Sequence, residues 1–329
     1  MANSSENSKK KVPEKKSPMD AFTASADKLF GKGKVFTGNS TVLDIERVST
    51  GVAELNGIIG GGRPRGRIYE YVGHTSSGKT TTALLDVAEV QRNGGNALYV
   101  DMEHALNREW AEKLGVDFDK LSVSQPSHGD EALDLVELAV QNSTFDLIVV
   151  DSVATLVPKK ELEAEMGTST MGMHARLMSQ ALRKLTPKID ASNTAVIFIN
   201  QYRQKMDGYG NPNIGTGGVA LPYYASIRVE VAKGESIKVG ENQIGNKVRL
   251  KVLKNKLAAP FKVAYYDLYY ELGYVPEAGI LDAAVDAGII ERSGSWFSYG
   301  DTRLGQGRTN IIELLRDNQE MLEEIKSKL

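Results

Sequence analysis

Gly73-His74-Thr75-Ser76-Ser77-Gly78-Lys79-Thr80 has the spacing G-x-x-x-x-G-K-[ST], the pattern of a phosphate-binding loop. Its flanks suit that reading, because Ile68–Gly73 before it reads as a buried strand and Lys79–Gln91 after it as a helix. The glycines let the backbone curl around phosphate oxygens, and the loop N–H groups and helix N-terminus attract the anion. In this reading Gly73 to Thr81 cradle a nucleoside triphosphate, Lys79 reaches the β- and γ-phosphates, and the Thr80 hydroxyl ligates Mg²⁺.

Working outward, strands and helices alternate. Ala97–Asp101, Leu121–Ser124, Leu147–Asp151 and Ala195–Asn200 read as strands, while segments near Arg108–Leu114, Asp130–Gln141 and Met171–Leu185 read as helices. Such alternation predicts an α/β core with a mainly parallel sheet flanked by helices. Ser226–Val231, Lys247–Leu253 and Ala264–Leu268 follow with no helix between them, which predicts an antiparallel extension. Beyond Gly279 a helix over Ile280–Ile290, a short strand over Ser295–Tyr299 and helices over Asn310–Arg316 and Gln319–Leu329 predict a small α/β domain. The resulting boundaries are a basic flexible tail at 1–18, an N-terminal segment at 19–48 with an amphipathic helix over Met19–Phe30, a core at 49–275, and the small domain at 276–329.

Composition limits the function classes. A chain of 329 residues suggests about two domains at roughly 150 residues each. With 41% hydrophobic and 25% charged residues it is globular, and its net charge of −2 excludes a uniformly basic nucleic-acid coat. The absence of cysteine excludes disulfides, thiolate zinc sites and a thiol nucleophile. No apolar run reaches a membrane span and no signal-peptide pattern opens the chain, so a cytoplasmic location is expected.

Three further polar residues fall where the crevice of such a sheet opens, at strand C-terminal ends. Asp151 ends the run Leu147-Ile148-Val149-Val150-Asp151 and suits Mg²⁺ held through water. Glu103, two residues past Asp101, could orient attacking water, although on pattern alone it is equally a solvated acid. Gln201 follows Asn200 and could sense the γ-phosphate, or could be an ordinary loop amide.

Together these pieces resemble the bacterial and phage RecA-type recombinases, from about Met19 to the C-terminus. The specific segments include Phe30-Gly31-Lys32-Gly33, Ser49-Thr50-Gly51, Gly66-Arg67-Ile68, Glu103-His104-Ala105-Leu106, Lys113-Leu114-Gly115-Val116-Asp117, Val149 to Ala154, Met178-Ser179-Gln180-Ala181, Phe198-Ile199-Asn200-Gln201 and Lys254 to Phe261. The resemblance implies ATP-dependent helical filaments on single-stranded DNA, pairing with double-stranded DNA, strand exchange and DNA-stimulated hydrolysis in repair. It implies that Glu103 activates water, that Gln201 senses the γ-phosphate, and that Lys254 and Lys256 reach ATP bound by the neighbouring protomer. It also implies adenine contacts near Asn107, Trp110 and Tyr270. DNA-binding loops are implied near 163–170 and 202–218, with Met171, Arg176, Ser179, Arg183, Arg203, Met206, Gly217 and Gly218 near DNA. Tyr209 could stack on bases, the Met19–Phe30 helix would dock on the adjacent protomer, and a repressor whose self-cleavage is stimulated is a further implied partner.

The chain departs from the family pattern at several points. Asn107 stands where Asp is usual, Trp110 where Tyr is usual, and Pro222 where Lys is usual. The second DNA loop is about one residue short, and the chain ends at Ile325-Lys326-Ser327-Lys328-Leu329 without the acidic tail that restrains DNA access in many members. Two rival readings are a helicase or regulatory ring on the same fold and a DNA-binding filament that does not hydrolyse ATP. The Lys254–Lys256 pair, the Phe30–Gly33 segment and the C-terminal domain separate the family from the first, and intact Lys79, Thr80, Glu103 and Asp151 from the second.

Overall fold

The computed structural model describes residues 17–40, 44–165, 168, 170, 172–204 and 213–329, the side chains of 203, 204, 213 and 214 excepted. Residues 1–16 of the basic tail, Met171, Met206, Tyr209 and the Arg203 side chain lie outside the described residues. The chain divides into two units, residues 1–45 and 46–329. In the first, helix α1 (Pro18–Phe30) starts at a capping box formed by Ser17 and Asp20, with Pro18 at its first position. Met19, Phe22, Leu29 and Phe30 on this helix are exposed.

The second unit begins with β1 (Arg47–Val48), α2 (Ala53–Ile59) and β2 (Arg63–Pro64), where β1 and β2 pair with each other. Then come β3 (Ile68–Gly73), α3 (Lys79–Arg92), β4 (Ala97–Asp101), α4 (Arg108–Lys113), β5 (Ser122–Ser124), α5 (Gly129–Gln141) and β6 (Leu147–Asp151). After them follow α6 (Lys159–Leu162), α7 (Met173–Ser192), β7 (Ala195–Gln204), β8 (Asn213–Gly215), α8 (Ala220–Tyr224), β9 (Ile227–Val239), β10 (Asn242–Asn255), β11 (Val263–Tyr269) and β12 (Gly273–Tyr274). Strands β3, β7, β6, β4 and β5 run parallel in that spatial order; β9 joins β3 in parallel, and β10, β11 and β12 extend the sheet antiparallel. This is the predicted parallel core with its antiparallel extension.

Side-chain alternation explains why the central strands are apolar throughout. Leu147 and Val149 pack with α2, α3 and α4 on one face, while Ile148 and Val150 pack with α5 and α7 on the other. All four are fully buried, each contributing about 1.5–3 kcal/mol.

Several expected boundaries move: β7 runs on to Gln204, β9 runs on to Val239, and β10 already starts at Asn242. Helix α7 runs through Pro187 to Ser192, although the residue before a proline is biased away from helix. The reason lies in packing, because Ile189 beyond it is buried against the α5–α7 core. The expected helix over Ile280–Ile290 is instead α9 (Pro276–Asp286), with Pro276 opening it and Gly288 at φ +70° turning the chain, so Ile290 starts a strand. The small domain contains a three-stranded antiparallel sheet of β13 (Ile290–Ser293), β14 (Trp296–Tyr299) and β15 (Thr302–Gln306) where one strand was expected. The extra strands are short and largely exposed, so they lack an apolar signal. Helices α10 (Arg308–Asp317) and α11 (Gln319–Lys328) complete its own core with α9, Phe297 and Ile290.

Candidate functional site

The parallel register brings the predicted residues to one end of the sheet. Gly73 pairs with Gln201 across β3 and β7, and Asp101 pairs with Asp151 across β4 and β6. The loop from His74 to Gly78 therefore opens beside Gln201, Glu103 and Asp151. Two glycines here are sterically required. A Cβ on Gly73 would sit 2.1 Å from the Val231 carbonyl oxygen, and Gly78 holds φ +99° immediately before α3.

The loop fits phosphate. Helix α3 has no side-chain cap at its N-terminus, so its first N–H groups are available to an anion. Ser77 is buried, and its Oγ has no hydrogen-bond partner among the described residues. The Lys79 ammonium is folded over the loop, Nζ donating to the His74 carbonyl at 2.7 Å. Burial lowers its pKa, opposed by the negative charges of Asp151 and Glu103.

A set of oxygen donors lies next to it. Thr80 Oγ1 donates to Asp151 Oδ2 at 2.7 Å, and the buried Tyr99 hydroxyl donates to the same oxygen at 2.7 Å. Burial raises the Asp151 pKa; the hydrogen bonds from Thr80 and Tyr99 oppose this, Glu103 raises it further, and Lys79 lowers it. A hydroxyl and a carboxylate within hydrogen-bond reach are hard donors of the kind Mg²⁺ takes, so these residues fit the ion.

Glu103 is exposed and held from two sides. Ser152 Oγ donates to its Oε1 at 2.5 Å, and Gln201 Nε2 donates to the same oxygen at 2.8 Å. The two residues singled out as water activator and phosphate sensor are thus directly hydrogen-bonded.

Ser76 to Thr81 line a cleft of about 310 Å³ with Trp110, Asn246, Leu268 and Tyr270. Trp110 Nε1 donates to Thr81 Oγ1 at 3.2 Å, and Tyr270 is partly exposed and accepts from Gln243 at 2.5 Å. Asn107 does not line this cleft; its Oδ1 accepts from the Trp110 N–H at 2.9 Å and caps α4. That bond orients the helix turn carrying Trp110.

Lys254 and Lys256 lie apart from the cleft within one protomer. Lys254 Nζ donates to the carbonyls of Pro222 at 2.6 Å and Tyr223 at 2.9 Å, and Lys256 Nζ donates to Tyr223 at 3.3 Å. Tyr223 itself is 73% exposed, so this cationic corner faces outward.

Arg176, Ser179 and Arg183 share one face of α7, where they line an open depression with Gly172, Ala175 and Gln180. Gly217 and Gly218 have φ near +80°, and Cβ atoms there would come within 3.0 Å of Val153 and Ala175. They bring the chain after β8 against the same helix.

Sequence reading missed Tyr99 on Asp151 and Asn200 beneath Gln201. A tyrosine inside an aliphatic strand is a usable signal, since a buried hydroxyl needs an acceptor. Nothing local marks Asn200.

Comparison with known proteins agrees with this arrangement. Family models for the RecA N-terminal domain and the RecA C-terminal domain match residues 18–275 and 278–329. Similar curated proteins include Protein RecA of Clostridium novyi, 51% identical over 319 residues, and Protein RecA of Clostridium acetobutylicum, 50% identical over 319 residues; each alignment covers 96% of this chain and 91% of the relative. Protein RecA of Porphyromonas gingivalis is 49% identical over 310 residues, covering 93% of this chain and 91% of the relative.

Proposed function

Since the chain belongs to the RecA family of DNA recombinases, we propose that it hydrolyses ATP at a composite site between successive protomers of a filament on single-stranded DNA, and drives homologous pairing and strand exchange in recombinational repair. The observation that carries this reading is the hydrogen bond from Gln201 to Glu103 beside the loop of Lys79. One side chain of β7 touches the candidate water activator and directly precedes the stretch that pairs with β8, a region the family places on DNA.

The residues divide the work as follows. The N–H groups of the loop and of α3, with Lys79, bind the phosphates and hold the γ-phosphoryl group. Thr80 and Asp151 would hold Mg²⁺, Asp151 through water, and Tyr99 keeps the carboxylate aimed. When bound, that ion would neutralise negative charge on the transferring phosphates. Glu103 takes a proton from, or orients, the attacking water, with Ser152 and Gln201 fixing its carboxylate. Trp110 and Tyr270 supply aromatic faces for the base. Lys254 and Lys256 leave their α8 carbonyls to stabilise the phosphoryl group bound by the next protomer, as an arginine finger does. Arg176 and Arg183 bind DNA phosphates without reading sequence.

The exposed apolar face of α1 supports docking on an adjacent protomer; on this reading 19–48 is the oligomerisation segment and 49–275 the ATPase core. No described helix is long and apolar enough to cross a membrane, and a recombinase acting on DNA supports a cytoplasmic location. Stimulated self-cleavage of a repressor is a further activity of the assembled filament. The test is ATP hydrolysis with and without single-stranded DNA across protein concentration. A DNA-stimulated rate rising cooperatively with concentration supports the composite site, and hydrolysis indifferent to DNA moves the reading to a helicase or regulatory ring.

A further inference from the structure

Glu70 lies in the middle of β3 and is fully buried, a position where a carboxylate is costly unless charge-paired and hydrogen-bonded. Both of its oxygens are engaged. Oε1 accepts from Asn200 Nδ2 at 2.8 Å, and Oε2 pairs with Arg228 Nε. Asn200, also fully buried, accepts on Oδ1 from the Gln201 N–H at 2.9 Å and from Thr216 Oγ1 at 2.6 Å. The space is matched to this network, because a Cβ on Gly215 would sit 2.6 Å from Asn200 Nδ2.

On its other side, Arg228 pairs in register with Glu70 across β3 and β9 and with Lys254 across β9 and β10. One continuous path therefore runs from Glu103 and Gln201 through Asn200, Glu70 and Arg228 to the strand position of Lys254. We propose that Glu70 is a positioning residue for the ATPase, fixing through Asn200 the strand end that carries Gln201 and through Arg228 the edge that carries Lys254. A single buried carboxylate thereby joins the nucleotide-sensing end of a protomer to the lysine that the same protomer contributes to its neighbour. This rests on the roles assigned above to Gln201 and Lys254.

The charge balance supports the path. Three cations, Arg228, Lys254 and Lys256, gather at this edge. Burial, then Lys256 and Arg228, push the Lys254 pKa down to about 8, and Glu70 opposes that fall. Loss of the Glu70 charge would leave the three cations less balanced and favour neutral Lys254. A buried ion pair is weak evidence for a stability role, since apolar replacements often do as well; its placement between two functional ends argues for registry.

Glu70→Gln keeps the shape and an acceptor toward Asn200 while removing the charge. The measurements are the thermal midpoint, kcat and KM for ATP on single-stranded DNA, and the ratio of DNA affinities in ATP and in ADP. Both kcat and the affinity ratio should fall roughly tenfold or more, with KM within about twofold. Adding Arg228→Gln restores charge balance and should recover part of the turnover. A folded Glu70→Gln protein with unchanged kcat and unchanged affinity ratio overturns the proposal. If Glu70→Gln does not fold, Thr216→Val carries the test, since it removes one bond to Asn200 and leaves every charge; it should lower the affinity ratio, and an unchanged ratio overturns the proposal. Gln201→Ala and Lys254→Ala run alongside. If both turn over normally, the composite-site reading falls and this proposal with it; if they are impaired while Glu70→Gln is not, only this proposal falls.

Discussion

Tyr99→Phe removes one hydroxyl and leaves the strand otherwise intact. Tyr99 is 1% exposed in β4, and its hydroxyl donates to Asp151 Oδ2 at 2.7 Å. Burial already raises the Asp151 pKa, and this bond is one of two that oppose the rise. A hydrogen bond to a charged acceptor is worth about 1.5–3 kcal/mol, which is roughly ten- to a hundredfold in the competition between a proton and the ionised carboxylate. Removing it raises the Asp151 pKa further, so the variant should need more Mg²⁺ for hydrolysis at acid pH and little more in mild alkali. The assay is the half-saturating Mg²⁺ concentration for DNA-stimulated ATP hydrolysis, compared between a mildly acid and a mildly alkaline buffer. The variant's requirement should exceed the wild type's by several-fold at the lower pH, and the gap should narrow at the higher. Equal Mg²⁺ requirements for the two proteins at both pH values would refute the assignment of Asp151 as the Mg²⁺-site carboxylate tuned by Tyr99.

Other outcomes follow from single contacts. Glu103→Gln should bind ATP and assemble on DNA while turnover falls about a hundredfold or more, as expected for losing a positioned base; normal turnover would mean that another group orients the water. Arg63 is 1% exposed and pairs with the fully buried Asp86 at 3.3 Å, while Tyr71 donates to Asp86 at 2.6 Å. Arg63→Leu should cost about 3–5 kcal/mol in denaturant unfolding, and the double Arg63→Leu, Asp86→Val change much less. The Asp86 pKa is raised from 3.8 to about 6, chiefly by burial. The folded state therefore holds a proton that the unfolded chain has released, and stability contributed by Asp86 falls as pH rises through that window. The double variant should lose that slope in unfolding curves taken across the window. Gly218→Ala places a Cβ 3.0 Å from Ala175 at φ +79°, a strain of about 1–2 kcal/mol; DNA affinity should drop while ATP binding without DNA persists, and unchanged DNA affinity would remove Gly218 from the interface.

The parts legible in the sequence are those written in short-range patterns. The Gly73–Thr80 loop and the apolar run ending at Asp151 each declare themselves within a few residues, because backbone curvature and strand burial are local requirements; Glu103, on pattern alone equally a solvated acid, was singled out by the family resemblance. The alternation around them was enough to place all three at one sheet end. What was not legible depends on pairing across the fold. Glu70 and Asn200 are 130 residues apart in sequence and meet only because β3 and β7 are neighbours. Lys254 reaches the α8 carbonyls through strand register, which no periodicity encodes. Strands β13 and β15 escaped because they are short and each sends only one apolar residue, Ile290 and Leu304, toward the core, while Pro187 misled the end of α7 because tertiary packing of Ile189 outweighs local preference.

The central claim is that each ATP is hydrolysed by groups from two protomers, and mixing tests it most directly. Lys79→Ala breaks the phosphate loop and keeps the lysine pair; Lys254→Ala does the reverse. Each alone should be nearly inactive on single-stranded DNA. In an equal mixture about one head-to-tail interface in four unites an intact loop with an intact lysine pair. The composite-site account predicts turnover restored toward that fraction of wild type, and a mixture no more active than its two components would contradict it.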